Sequence, residues 1–232
     1  MKNATIAFVF MTFLVPSVAS AKLVDGGASY VPPTAPLKVD NAREFSVPYD
    51  KAWKAVVAHL SETSFVIDNI DKDSGLITVS FSVSDPRTAV DCGQWSYWVK
   101  NLRGRRDYSN EGAAPYAKYE FLQDGTLTNI ERSVALSGKF NILVTSPTDS
   151  TSRVKVTARF VQSITLKVAP LAVDMNFQRV APRTFTESMG FTTGQEAQIP
   201  GGQTICRSNA KFELQILDSI SDQFQVGAQP AA

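Results

Sequence analysis

The chain is poor in the residues that most metal and nucleophilic enzymes draw on. Its 232 residues hold one histidine, two cysteines and no excess of either charge, with 23 Lys+Arg against 22 Asp+Glu. The lone His59 excludes imidazole clusters for a metal and leaves a catalytic triad with a single candidate base, on a helix where a solvent-facing imidazole explains it as well. Balanced charge gives no global field to draw the chain onto nucleic acid or an anionic membrane. G-x-S-x-G, a phosphate-cradling glycine loop and H-E-x-x-H are all missing. Asp68, Asp71 and Asp73 alternate as calcium ligands do, but no glutamate stands at the twelfth position of such a loop. Nothing marks out a carboxylate pair for glycoside hydrolysis. These absences point away from an enzyme, and neither a cofactor nor a metal is expected.

Long apolar runs are also scarce, and the one that exists is informative. Met1-Lys2-Asn3 is a short charged start, Ala4 to Val15 is apolar, and Ala19-Ser20-Ala21 is an A-x-A cleavage motif. The run is too short to cross a bilayer, for which about 20 apolar residues are needed. Residues 1–21 therefore read as a signal peptide cleaved after Ala21, and Lys22 at the new terminus closes the lipoprotein route. Removal takes away only Lys2 among the charges and leaves a neutral mature chain without an integral span. The expected location is periplasmic or secreted. In an oxidising compartment Cys92 and Cys206 read first as a disulfide, and a reactive thiol is the weaker reading.

Residues 22–42, with Gly26-Gly27, Pro32-Pro33 and Pro36, read as a flexible linker, and 225–232 as a disordered tail. Between them, 43–224 reads as one domain. Tyr49, Trp53, Val56, Val57 and Leu60 share one helical face behind Pro48. Strands are expected around 44–47, 65–67 and 76–83, the last two joined by a tight turn at 71–75. Residues 133–145 and 152–168 read as a hairpin, 172–180 as one more strand, and 181–203 as a loop or irregular hairpin. Ser208 would cap a last helix with Phe212, Ile216, Leu217, Ile220 and Phe224 on one side. Together these give an α+β expectation: a two-layer antiparallel sheet with two amphipathic helices packed on one face.

The least ordinary stretch is 91–121, where Trp95, Trp98, Arg103, Arg105, Arg106 and Tyr108 set large aromatics beside guanidinium groups. Such mixtures serve stacking, cation–π contact and bidentate hydrogen bonding to a partner. The same residues also read as core tryptophans beside a disulfide, followed by a solvated arginine turn.

The run Val47-Pro48-Tyr49-Asp50-Lys51-Ala52-Trp53, continuing through Ile67 to Gly75-Leu76-Ile77, resembles the β-α-β-β unit of BamC-like envelope proteins. That resemblance covers about 40 residues. It implies a small bacterial envelope domain acting as an accessory or binding part. Two functions are weighed on these grounds. One is a non-enzymatic exported binding or accessory protein of the cell envelope, with a protein partner held by 95–121 or by an exposed sheet edge. The alternative is a carrier of a lipid or other apolar small molecule, held in a helix-grip-like cavity under the C-terminal helix. A carboxylate hydrolase ranks below both.

Overall fold

The computed structural model describes residues 24–172, 178–199 and 202–226. In chain order, β1 (Asp25–Val31) and β2 (Ala42–Phe45) precede α1 (Tyr49–Ser61), which is followed by β3 (Val66–Asp71) and β4 (Leu76–Val83). After a short 3-10 turn at Pro86–Thr88 come β5 (Val90–Asp91), β6 (Gln94–Asn101), β7 (Gly104–Glu111) and β8 (Tyr116–Gln123). Then follow two very long strands, β9 (Thr126–Thr148) and β10 (Thr151–Pro170), and finally β11 (Arg183–Thr192), β12 (Glu196–Gln198), β13 (Ile205–Ser208) and α2 (Lys211–Val226).

The β9–β10 hairpin organises everything else. Its even-numbered residues face inward over most of its length: Ile130, Val134, Leu136, Phe140, Ile142 and Val144 on β9, with Val154, Val156, Ala158, Phe160 and Ile164 on β10. A period of two with one face dry is the signature of a sheet covered on a single side. At about 3.3 Å per residue, a 23-residue strand is far longer than one small core can cover. Two different covers therefore divide it.

Over the half nearest the hairpin turn, β4 and then β3 extend β9 while β2 extends β10, and both helices contact this part. Trp53, Val56 and Leu60 of α1 and Ile216, Leu217 and Ile220 of α2 belong to the same core as Phe140, Ile142, Val156 and Phe160. Phe140 stacks on Phe81 at 4.4 Å and meets Phe65 and Phe212 edge-on. Gly138 sits where a Cβ would lie 2.3 Å from the Arg159 carbonyl and 2.7 Å from the Phe81 ring, so no larger residue fits there. The far half is extended by β8 on β9 and β11 on β10, and a separate sheet, β1–β6–β7, packs against it to make a second, aromatic core. A third small sheet, β12–β13–β5, lies where the covers meet and carries the Cys92–Cys206 disulfide.

The α+β expectation is overturned. The molecule is mostly sheet, 58% strand and 15% helix, built from several sheets and not from one layer under two helices. Three stretches account for the difference. Residues 25–31, read as linker, pair with β6 from Asp25↔Lys100 to Val31↔Gln94. The aromatic and basic stretch forms β6, β7 and β8. Residues 183–198, read as a loop or irregular hairpin, give β11 and β12. The rest of the supposed linker is held too: Asp91 Oδ2 accepts the backbone N–H groups of Thr34 and Ala35, and Asn41 Nδ2 donates to the Val156 carbonyl. The signal-peptide reading of 1–21, residues 173–177 of the expected strand and residues 227–232 of the expected tail lie outside the described residues, while α2 runs on through Gln225 and Val226. No helix among the described residues is long and apolar enough to cross a membrane.

Candidate functional site

Strand alternation splits the six residues singled out in 95–108 between the two faces of the β1–β6–β7 sheet. Trp95 and Tyr108 pack with the aromatic core. On the other face the Arg105 guanidinium lies 4.6 Å over the Trp98 ring and pairs with Asp107 at 2.7 Å. Arg106 is bound to Glu120 at 2.7 Å, and Arg103 occupies the exposed turn between β6 and β7. They do not form one continuous surface. Trp95 and Trp98 are both half-buried, but Trp95 packs against the aromatic core while Trp98 lies on the opposite face under Arg105.

What the inward residues build is a cleft. Tyr30, Trp95, Tyr97 and Tyr119 form a row of rings with centroids 4.8, 5.5 and 4.2 Å apart, the last three nearly parallel, and Phe121 meets Tyr97 edge-on at 6.1 Å. The row is fixed at both ends. Trp95 Nε1 donates to Thr204 Oγ1 at 2.9 Å, and the Tyr30 hydroxyl accepts the Ile205 N–H at 2.8 Å while facing the Cys92 and Ile205 carbonyls. Burial pushes the Tyr97 phenol far above its ordinary value, so it stays protonated at any physiological pH. Opposite the rings, Ile130 of β9, Leu166 and Val168 of β10 and Phe185 of β11 make an apolar wall, interrupted by Thr128, whose hydroxyl donates to the Thr126 carbonyl. The space between is about 1030 Å³, the upper end of the range for small-molecule sites, and it passes from buried Tyr97 and Tyr119 to exposed Gln123, Asp124 and Arg183.

Beyond the closed end lies Arg132, buried at 5% exposure, with Nη2 donating to the Glu111 carbonyl at 2.7 Å and Nε without a partner. Burial lowers its pKa, against the opposing influence of Tyr119 and Tyr97. Buried Gln162 and the disulfide complete a polar belt between the two cores, with Cys92 Sγ 3.5 Å from Gln162 Oε1.

A second hollow of about 820 Å³ lies beside Cys92, and its Asp91 and Arg87 are already engaged. Its Asp91 is occupied by backbone N–H groups of Thr34, Ala35 and Gly93, and its Arg87 by Asp85 and Glu111. The expected cavity under the C-terminal helix is filled by Phe212, Ile216, Leu217, Phe140 and Phe160. The suggestive aspartates diverge: Asp68 takes Ser80 and Lys139, while Asp71 accepts the backbone N–H groups of Asp73 and Ser74 in the turn. Among the described residues no three His, Cys, Asp or Glu side chains gather as metal ligands. His59 is half-buried near the end of α1, where desolvation lowers its pKa.

Sequence reasoning reached Tyr119 and Phe121 of β8 as the end of the 91–121 stretch, and missed the β9, β10 and β11 contributions to the cleft. The available signal was the parity shared by Thr128, Ile130, Leu166 and Val168. No family model matches the chain, and no curated protein matches it.

Proposed function

We propose that the protein is a non-enzymatic exported binding protein that carries an apolar small molecule in the aromatic cleft between the β1–β6–β7 sheet and the far half of the β9–β10 hairpin. The observation that carries this reading is the cleft itself: about 1030 Å³ walled largely by Trp95, Tyr97, Tyr119, Phe121, Ile130 and Leu166, with its charged groups, Asp124 and Arg183, toward the mouth. Apolar walls reward an apolar occupant by the surface removed from water, about 25 cal/mol per Å². The export half of the reading is supported by the disulfide and by the signal-like composition of residues 1–21. Native mass spectrometry of protein purified from its own host should show a bound apolar mass, and Val168→Trp, which fills the cleft, should lose it while keeping the fold. Protein that arrives empty from every preparation, and whose Trp95 fluorescence is unmoved by a series of fatty acids, refutes the reading.

A protein partner has one observation in its favour. Edge strand β3 leaves Val66 (64% exposed), Ile67 and Ile70 uncovered beside an open row of backbone groups, the geometry that accepts an added strand. Crosslinking from a photoreactive residue at Val66 in native envelope tests it; a labelling pattern identical to that of the bare reagent removes it.

A further inference from the structure

We propose that the open end of the cleft docks on an anionic lipid bilayer and takes its apolar ligand from there. The proposal rests on the ligand-binding reading above. Its starting point is Leu102, 88% exposed at the tip of the β6–β7 turn, where the Asn101 side chain accepts the Arg103 N–H at 2.8 Å and holds the turn in place. Two further large apolar side chains stand uncovered at the same end, Leu171 at 52% and Phe185 at 50%. Their proximity follows from the hollows they line. Leu102, Arg103, Leu127 and Leu171 border one of about 400 Å³, and Leu171 directly follows Pro170, which borders the cleft together with Phe185 and Arg183. The Leu171 N–H donates to the Leu127 carbonyl at 2.8 Å, tying the two hollows together. Exposed apolar groups gathered at one end mark a contact surface.

Charge selects the occupant. The chain is close to neutral overall, yet among the described residues Arg103, Arg183 and Arg179, the last adjacent to cleft residue Val180, have no carboxylate within ion-pair distance, whereas Arg105 and Arg106 are taken by Asp107 and Glu120. Among the described residues the carboxylates lining or flanking these hollows include Asp25, which accepts the Gly26 N–H, Asp124, and Glu120, which Arg106 holds. Unpaired guanidinium groups around apolar side chains on a turn tip and a cleft rim suit the headgroup boundary of a bilayer: the leucines enter the acyl region and the arginines meet phosphate. A ligand leaving the bilayer there reaches the cleft without crossing water.

The test is co-sedimentation of the purified protein with phosphatidylcholine vesicles and with vesicles carrying three parts in ten phosphatidylglycerol. Binding to the anionic vesicles alone is expected, falling with added salt, about fivefold for each of Arg103→Gln and Arg183→Gln and about tenfold for Leu102→Ser. Leu102 and Arg103 are exposed turn residues, so these variants should melt like wild type. Equal binding to both vesicle types, or binding untouched by Leu102→Ser and Arg103→Gln, overturns the proposal. So does self-association without lipid that Leu102→Ser abolishes, because a second copy is then the occupant. Absence of vesicle binding by protein that still carries ligand from its host removes the docking and leaves the cleft reading intact; an empty cleft in that protein removes the cleft reading by itself.

Discussion

Replacing Cys92 and Cys206 together by alanine should be the most damaging change that removes no large side chain. The bond closes a loop across 114 residues. Loop-closure entropy grows with the logarithm of that length, and freeing the unfolded chain of this constraint costs about 5 kcal/mol at 25 °C. Little relief comes from the native side. Both cysteines are buried, Cys92 packs near Gln162, and the bond ties β13 to the chain just before β6, next to the Tyr30 hydroxyl that bridges the two segments. For a chain of this size, 1 kcal/mol moves Tm by about 2–4 °C, so the double variant should melt about 10–20 °C below the oxidised wild type. Guanidinium denaturation of wild type with and without reductant, beside Cys92→Ala/Cys206→Ala, gives the difference directly. Reduced wild type should match the variant, and oxidised wild type should show no titratable thiol. A loss below about 1 kcal/mol refutes the reasoning, because the loop would then be constrained by something other than the bond.

Three further outcomes are expected. Phe140→Ala should cost about 3–5 kcal/mol in denaturant unfolding, since the ring is fully buried among Phe81, Phe65 and Phe212 and leaves a cavity that the sheet cannot close; a loss under 1 kcal/mol contradicts the packing. Glu213 is buried against Thr193 and Ser208, and desolvation raises its pKa above the ordinary 4.5. The native state therefore holds this proton more tightly than the unfolded chain does, so its contribution is full below about pH 4.5 and is lost as pH rises through the raised value. Glu213→Gln should flatten the stability curve over that window, and parallel curves for the two proteins would show the assignment to be wrong. Arg105→Ala should leave stability almost unchanged, because its pair with Asp107 is exposed and screened by solvent, yet should shift Trp98 fluorescence by uncovering the ring; unchanged emission denies the stacking.

Elements with strong periodicity were legible in the sequence. Tyr49, Trp53, Val56 and Leu60 mark α1, and the even-numbered apolar residues of 152–168 mark β10, because each pattern reports a single covered face. What failed were strands whose environments are mixed. β7 is an edge strand with charge on both faces, so Gly104-Arg105-Arg106-Asp107 looks like a turn. β1 hides behind glycine: a Cβ on Gly27 would lie 2.7 Å from Trp98 Nε1, so the residue that signals flexibility in sequence here lets an indole lie across its backbone partner. The cleft was half legible. Trp95 was singled out for its chemistry, but its companions Ile130, Leu166 and Val168 are ordinary strand residues. They become a site only because the hairpin outruns the helices that cover its other half, and that is a property of length and not of residue type.

Residues 126–170 provide a neighbour for β2, β4, β8 and β11 alike, and all but one of those strands are made before them. A nascent chain emerging amino end first holds Trp53, Phe81 and Tyr119 without complete cover until the hairpin, and for Trp53 and Phe81 also α2, has appeared. Fragments ending short of Thr126 are therefore left without either interior. Closure of the two cores therefore comes late in the chain, and apolar surface stays open over much of its synthesis.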